Sequence, residues 1–269
     1  MDRVIVPYFR RVAPALKLDE LRPSDLRSFV AHLAAQGHKP ATVRRYFAPL
    51  RAMLATAFED GLTDINAAAG VRVVVPGASR RQVQRLTPVQ TRALLAEIPA
   101  DHADLVYLLA ATGLRIGEAL ALDWADYGHD EDGPLLTVNT SKTRAGLRTI
   151  ALSPQTARVL DLRRSRGDGA GLIFSSTTGG AIDARSWRRR VFAPAAGRAG
   201  VGWATPHSLR HGMASLMADN GYSAAQIAAQ LGHADGGALA LRVYVHPERM
   251  AAPAFVDEAL SESTPRRSG

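Results

Sequence analysis

Proline opens and glycine closes one helically spaced apolar stretch after another, and this punctuation commits most of the chain to helix. Proline suits the first helical turn, where its missing N–H would have no partner, and glycine readily takes the left-handed backbone that ends a helix. Pro23-Ser24-Asp25 precedes Leu26, Phe29, Val30 and Leu33, with Gly37 as the stop. Pro40 precedes Val43, Phe47, Leu50, Leu54 and Phe58 along one side, Gly61 follows, and Pro49 in the interior predicts a kink. Pro7 predicts that any helix in residues 1–20 is short or broken. Thr87-Pro88-Val89-Gln90 has the pattern of a capping box, predicting helices over 87–98 and 101–112. Gly113 closes the second, so that Leu114-Arg115 emerges at a helix–helix junction.

After Trp124 the period changes. Leu135–Val138 and Leu147–Leu152 alternate as two strands of a hairpin, with residues 141–146, including Lys142, in its turn. Helices are expected near 153–165, 183–199, 207–220 and 223–231, with a short strand at Leu172-Ile173-Phe174. The predicted fold class is mainly α with a small antiparallel β-sheet (α+β).

Residues 76–86 carry no acid and no apolar period, which predicts an exposed basic linker between a helical domain (1–75) and a second domain (87–260), with a polar, disordered tail at 261–269. Charge divides at the same place. Residues 1–86 hold 14 Lys+Arg against 7 Asp+Glu, whereas the rest of the chain is nearly balanced at 19 against 18. A polyanion-facing module joined to a neutral one is the expectation, with general arginine richness of the chain as the competing explanation. Without cysteine there are no disulfides and no thiolate ligands. No run of eighteen apolar residues and no signal-peptide pattern occur, which predicts a soluble, cytoplasmic protein without membrane contact.

Several residues are candidates for chemistry. In His207-Ser208-Leu209-Arg210-His211 a helix puts His207 and Arg210 on one face, a proton-carrying imidazole beside a forked donor, which suits a phosphate. Lysine occurs only at 17, 39 and 142 against 30 arginines. Arginine does not give up its proton in a protein and lysine can, so Lys142 is of interest, with Arg144 as a nearby rival. His207 and His211 at i,i+4 could ligate a metal, but no third ligand is evident. Arg44, Arg45 and Arg51 lie off the apolar stripe of their helix and either face DNA or are solvated, and Arg80, Arg81 and Arg85 stand in the basic linker.

Taken in order, Thr112-Gly113-Leu114-Arg115-Ile116-Gly117-Glu118, Ser141-Lys142-Thr143-Arg144, His207-x-x-Arg210, Leu231-Gly232-His233 and Arg242-Val243-Tyr244 resemble the tyrosine recombinase (phage integrase) family. The resemblance covers residues 87–250 and, more loosely, the helices before them. It implies a helical core-binding domain and a catalytic domain that close as a C-shaped clamp on double-stranded DNA, assembled as a homo-oligomer, a tetramer on paired sites. Tyr244, which alone among the six tyrosines follows every other motif, would attack the backbone to form a 3′-phosphotyrosine and release a 5′-hydroxyl. Arg115 and Arg210 would bind the nonbridging oxygens, Lys142 would protonate the leaving oxygen, His207 would assist proton transfer and His233 would hydrogen-bond the phosphate. Glu118 either orients an arginine or is a surface charge, and His211 is support. The chemistry calls for no cofactor, metal or ATP. A type IB topoisomerase-like relaxing enzyme and a DNA-binding regulator on a decayed scaffold are the rival readings.

The pattern departs from the family in three places. The usual first helix is shortened at Pro7, and no separate arm-binding domain is expected before it. Eleven positions separate His233 from Tyr244, one or two more than usual, with Gly236-Gly237 able to absorb the excess. Residues 251–260, with Phe255, Val256 and Leu260 on one side, either dock on a neighbouring protomer or cover their own core.

Overall fold

A computed structural model describes residues 4–75, 84–140, 147–167, 169–232 and 255–261. The chain forms two compact units, Met1–Gln82 and Val83–Gly269.

The first unit is built from α1 (Ile5–Val12), α2 (Pro23–Ala35) and α3 (Pro40–Glu59). Pro7 stands at the third position of α1, where it removes no intrahelical bond. Asp25 accepts the Arg22 backbone N–H at 2.8 Å and so fixes the start of α2. Gly37 and Gly61 lie just beyond the next two helices in the left-handed region. Leu26, Phe29, Val30 and Leu33 bury against Val43, Phe47, Leu50 and Leu54, with Ile5 and Tyr8 of α1 joining them. Phe58 departs from expectation. It is 47% exposed, and Ala57 is buried instead. The buried positions 43, 47, 50, 54 and 57 step alternately by four and three, and a further step of four after Leu54 would turn off the stripe. Arg51, on the side expected either to face DNA or to be solvated, is exposed, with its Nη2 donating to Val71 O at 2.6 Å and its guanidinium over the Phe47 ring.

The second unit begins its core earlier than expected. Leu86, assigned to the exposed linker, is buried, with Gly212 against it. Thr87 and Gln90 exchange the two bonds of a capping box at the start of α4 (Pro88–Glu97), and α5 (Ala100–Thr112) ends at Gly113. After the single turn α6 (Ile116–Ala119), a three-stranded antiparallel sheet runs in the order β1 (Tyr127–Asp130), β2 (Gly133–Val138), β3 (Arg148–Ala151). Leu136 pairs with Ile150, and both are buried. The strand β1, Tyr-Gly-His-Asp, has one good strand former in Tyr127 and no alternation, so its pairing with β2 is what makes it a strand. Conversely, Leu172–Phe174 forms only a bridge from Leu172 to Asp123, with Ile173 N–H donating to Leu122 O, because no neighbouring strand extends beside it.

Next come α7 (Pro154–Arg164), then α8 (Ala184–Trp187) and α9 (Ala193–Arg198) joined by a π-helical turn at Arg188–Phe192. Two helices, α10 (Pro206–Asp219) and α11 (Ala224–Leu231), complete the body, and α10 packs on α5. The last helix, α12 (Phe255–Ser261), lies on its own chain. Asp257 accepts from Ser153 Oγ at 2.6 Å and the Gln155 N–H at 3.3 Å, an anion at the N-terminus of α7, while Arg92 donates to Ala259 O and Leu260 packs on the core. Of the two placements open for this segment, the structure has the intramolecular one.

Gly113 packs closely on α11. Its φ is +69°, and a Cβ there would come within 2.5 Å of Leu231 Cδ2 on α11. Left-handed strain of about 1–2 kcal/mol and overpacking of about 1–3 kcal/mol should act together in Gly113→Ala. Thermal denaturation of this variant is expected to fall by roughly 5–15 °C; a melting temperature within 2 °C of wild type, by roughly the same scaling, would show that α5 and α11 do not meet this closely.

Candidate functional site

The site begins where α5 stops. Gly113 turns the chain, and Arg115 becomes the residue before α6, its own N–H donating to Glu118 Oε2 at 3.0 Å. The Arg115 side chain, 41% exposed, donates from Nη1 to Glu118 Oε1 at 2.6 Å and from Nη2 to Gly232 O at 3.2 Å. Glu118 is not a surface charge. Its side chain is 5% exposed, and it holds Arg115 in place. Burial alone would raise its carboxyl, but the Arg115 N–H and the Arg148 charge outweigh that and hold it below its ordinary value.

Arg210 enters from α10 and is 1% exposed, the largest fully buried side chain among the described residues. One Nη donates to Gly113 O at 2.8 Å and the other to Leu231 O, so one guanidinium ties the end of α5 to the end of α11. Burial, with the Arg115 charge next, pushes it down to about 10, still protonated at neutral pH. Arg210 and His207, three positions apart on α10, differ in exposure. His207 is exposed at the start of α10 with its ring edge-on to His211 at 4.5 Å, while Arg210 points inward. Three positions of helix subtend about 300°, enough to place one residue at the rim and the other beneath it.

A third arginine, unforeseen in the sequence, completes the arrangement. Arg148 on β3 is 8% exposed and donates from Nε to Gln230 O at 2.8 Å and from Nη2 to Glu118 Oε2 at 3.1 Å. Its signal was the period of its own strand, since Arg148 has the parity of buried Ile150. Gln230, equally unforeseen and buried, donates its amide to Thr112 O at 3.2 Å. Three successive carbonyls at the end of α11, those of Gln230, Leu231 and Gly232, thus each receive a different arginine. Three guanidiniums face one carboxylate and the negative ends of two helices, each equivalent to about half a charge. Counted among the described residues, roughly one positive charge is left over, the complement of a phosphodiester.

Among the other candidates, Arg44 and Arg45 are exposed on α3, and Arg85 pairs loosely with Asp219 at 3.8 Å. Lys142, Arg144, His233, Tyr244, Arg80 and Arg81 lie outside the described residues. Three of the remaining tyrosines are poor nucleophiles. Burial raises the phenols of Tyr8, Tyr107 and Tyr127, and the last two donate to the carboxylates of Asp257 and Asp161. No cluster of three potential metal ligands occurs among the described residues, and no described helix is long and apolar enough to cross a membrane.

Residues 81–250 match the phage integrase family and residues 3–73 its SAM-like domain. A tyrosine recombinase XerC from Mesorhizobium japonicum is 32% identical over 228 residues, spanning 80% of this chain and 71% of that protein. Two solved structures share the fold. The Tn1549 transposon integrase in complex with circular intermediate DNA superposes with a TM-score of 0.73 at 19% identity, covering 94% of this chain and 90% of that one. A lambda integrase tetramer bound to a Holliday junction gives 0.65 at 21% identity, covering 88% of this chain and 73% of that one. On the strength of the family match over most of its length, with the arginines of the motif gathered at one point, the chain belongs to the phage integrase family.

Proposed function

We propose that this protein is a site-specific DNA recombinase that cuts and rejoins duplex strands through a phosphotyrosine at Tyr244. The observation that carries the reading is the convergence of Arg115 and Arg210, ninety-five positions apart, on the ends of α5 and α11, with about one net positive charge among the described residues. A pentacoordinate phosphorus transition state gathers negative charge on its nonbridging oxygens, and fixed guanidiniums lower its energy without reorganising. Arg115 is the open fork for those oxygens, and Arg210 is the buried charge beneath it.

The remaining steps fall to residues of the family motif. The Tyr244 oxygen bonds to phosphorus as the bond to the 5′-oxygen breaks, His207 assists removal of the phenolic proton, Lys142 protonates the departing oxygen, and His233 hydrogen-bonds the phosphate. The raised phenols of Tyr107 and Tyr127 support assigning the nucleophile elsewhere. Because the phosphotyrosine retains the energy of the broken ester, a new 5′-hydroxyl can reverse the step on another strand without ATP.

The basic residues concentrated in 1–86, Arg44 and Arg45 among them, provide the backbone-binding face of the core-binding domain, with residues 87–260 as the catalytic domain. Arg80, Arg81, Arg85 and Arg144 would add phosphate contacts. Exchange between two duplexes requires two cleavages on each, hence four protomers on paired sites, and a lambda integrase forms such a tetramer on a Holliday junction. The substrate places the protein in the cytoplasm with the chromosome.

The direct test uses a nicked duplex selected by the protein from a random-sequence pool, followed on a denaturing gel. Wild type should become covalently attached to the 3′ end, and Tyr244→Phe should not. No adduct from wild type, or an adduct from Tyr244→Phe, would overturn the reading, and relaxation of plasmids without a selected site would favour a topoisomerase. Arg115→Ala should slow single-turnover cleavage by ~100–1000-fold and lower the melting temperature less than Arg210→Ala does, because its side chain is partly exposed although Glu118 and Gly232 O each lose a donor. Arg210→Ala should lose both activity and stability, the latter by about 2–5 kcal/mol, because two buried carbonyls lose a charged donor. DNA affinity should fall steeply between 50 and 200 mM salt, by roughly 1000-fold if about six phosphates are neutralised; a flat salt profile would exclude the basic face.

A further inference from the structure

The carboxylate of Glu118 is divided between two arginines, and the division has a consequence for the charge available at the site. Oε1 accepts from Arg115 Nη1, while Oε2 accepts from the Arg115 N–H and from Arg148 Nη2. Arg148 is the more buried of the two guanidiniums and is pinned at its other end to Gln230 O, so it cannot swing out to solvent without abandoning a helix-terminal carbonyl. Arg115 is the more exposed and stands at the open side. We infer that Arg148 is a positioning residue of the cleavage reaction: by sharing Glu118, it keeps that carboxylate from neutralising Arg115 and so leaves Arg115 charged and oriented toward the scissile phosphate. This inference rests on the recombinase reading above.

The electrostatics support the division of labour. A lone buried carboxylate beside a lone arginine forms a bidentate pair with no net charge, and little attraction then remains for an anion. With Arg148 present the three groups carry one net positive charge, and Glu118 serves as a hinge that orients Arg115 without cancelling it. Geometry adds a second effect. Arg148 joins β3 to the Gln230 carbonyl of α11, two residues before Gly232, whose carbonyl accepts from the other end of the Arg115 fork.

The test compares wild type, Arg148→Met and Arg148→Lys in single-turnover cleavage of the pool-selected nicked duplex, with melting temperature and DNA affinity measured alongside. Arg148→Met should cleave roughly 10–100-fold more slowly, less than the loss of a direct phosphate donor, with affinity within about threefold of wild type. Arg148→Lys, which keeps the charge but reaches fewer acceptors, should recover part of the rate.

A second substrate carries a methylphosphonate at the scissile position, where a methyl group replaces one charged oxygen. If Arg148 acts through the charge of Arg115, the ratio of wild-type to Arg148→Met rates should shrink on this neutral substrate. A ratio unchanged between the two substrates, a rate for Arg148→Met within about threefold of wild type on the ordinary one, or no recovery in Arg148→Lys would overturn the inference, since a residue that merely supports the fold slows both substrates alike. Wild-type cleavage in the same assay separates the two ideas: its absence removes the recombinase reading itself, whereas its presence with an unaffected Arg148→Met removes only the role given to Arg148.

Discussion

The end of α11 is the contact on which the second unit depends. A helix leaves its last carbonyls without partners, and burying them costs free energy unless donors are brought to them. Here the donors are three arginines from three separate elements: Arg148 from β3, Arg210 from α10 and Arg115 from the turn before α6. Each guanidinium satisfies backbone that would otherwise be orphaned, and the carbonyls in turn make it tolerable to hold like charges together. A patch of positive charge that self-repulsion would disperse in water is thereby held fixed. The same contacts that complete the fold therefore gather the arginines of the family motif.

Two left-handed glycines make this possible. Gly113 and Gly232 end α5 and α11, and at Gly113 any side chain would collide with Leu231. The lack of a Cβ at Gly113 lets two helix termini approach closely enough for one guanidinium, that of Arg210, to bridge them. Thr112 adds to the knot, its hydroxyl donating to Leu108 O and its own carbonyl accepting from Gln230. Stability and function are coupled here because the groups that would meet a phosphate already serve the backbone. Arg210 shows the coupling most plainly, since it is buried and its guanidinium donates to the carbonyls of both Gly113 and Leu231.

The helical framework was legible because its signals are local. Proline starts, glycine stops and the capping box at Thr87 each act within one turn, and α2, α4 and α5 appear close to where those signals put them. Elements whose stability comes from a neighbour were not legible: β1 owes its existence to β2, the segment at Leu172 lacks such a neighbour, and α12 is held by Asp257 at the start of α7. The exchange of Phe58 for Ala57 in the first core has the same origin, a small rotation settled by packing rather than by spacing.

For the site, the sequence by itself determined the chemical inventory: Arg115, Glu118 and the His207-x-x-Arg210 group stand in motif order whatever the chain does in space. Only the tertiary structure decided how they divide the work. It buried Arg210 and left His207 at the rim, made Glu118 an internal hinge, and brought in Arg148, whose place on a strand has no motif to mark it. The physical reason is that a motif specifies side-chain types over a few residues, whereas the partners of a buried charge are whichever carbonyls and carboxylates the packing of distant elements sets within about 3 Å.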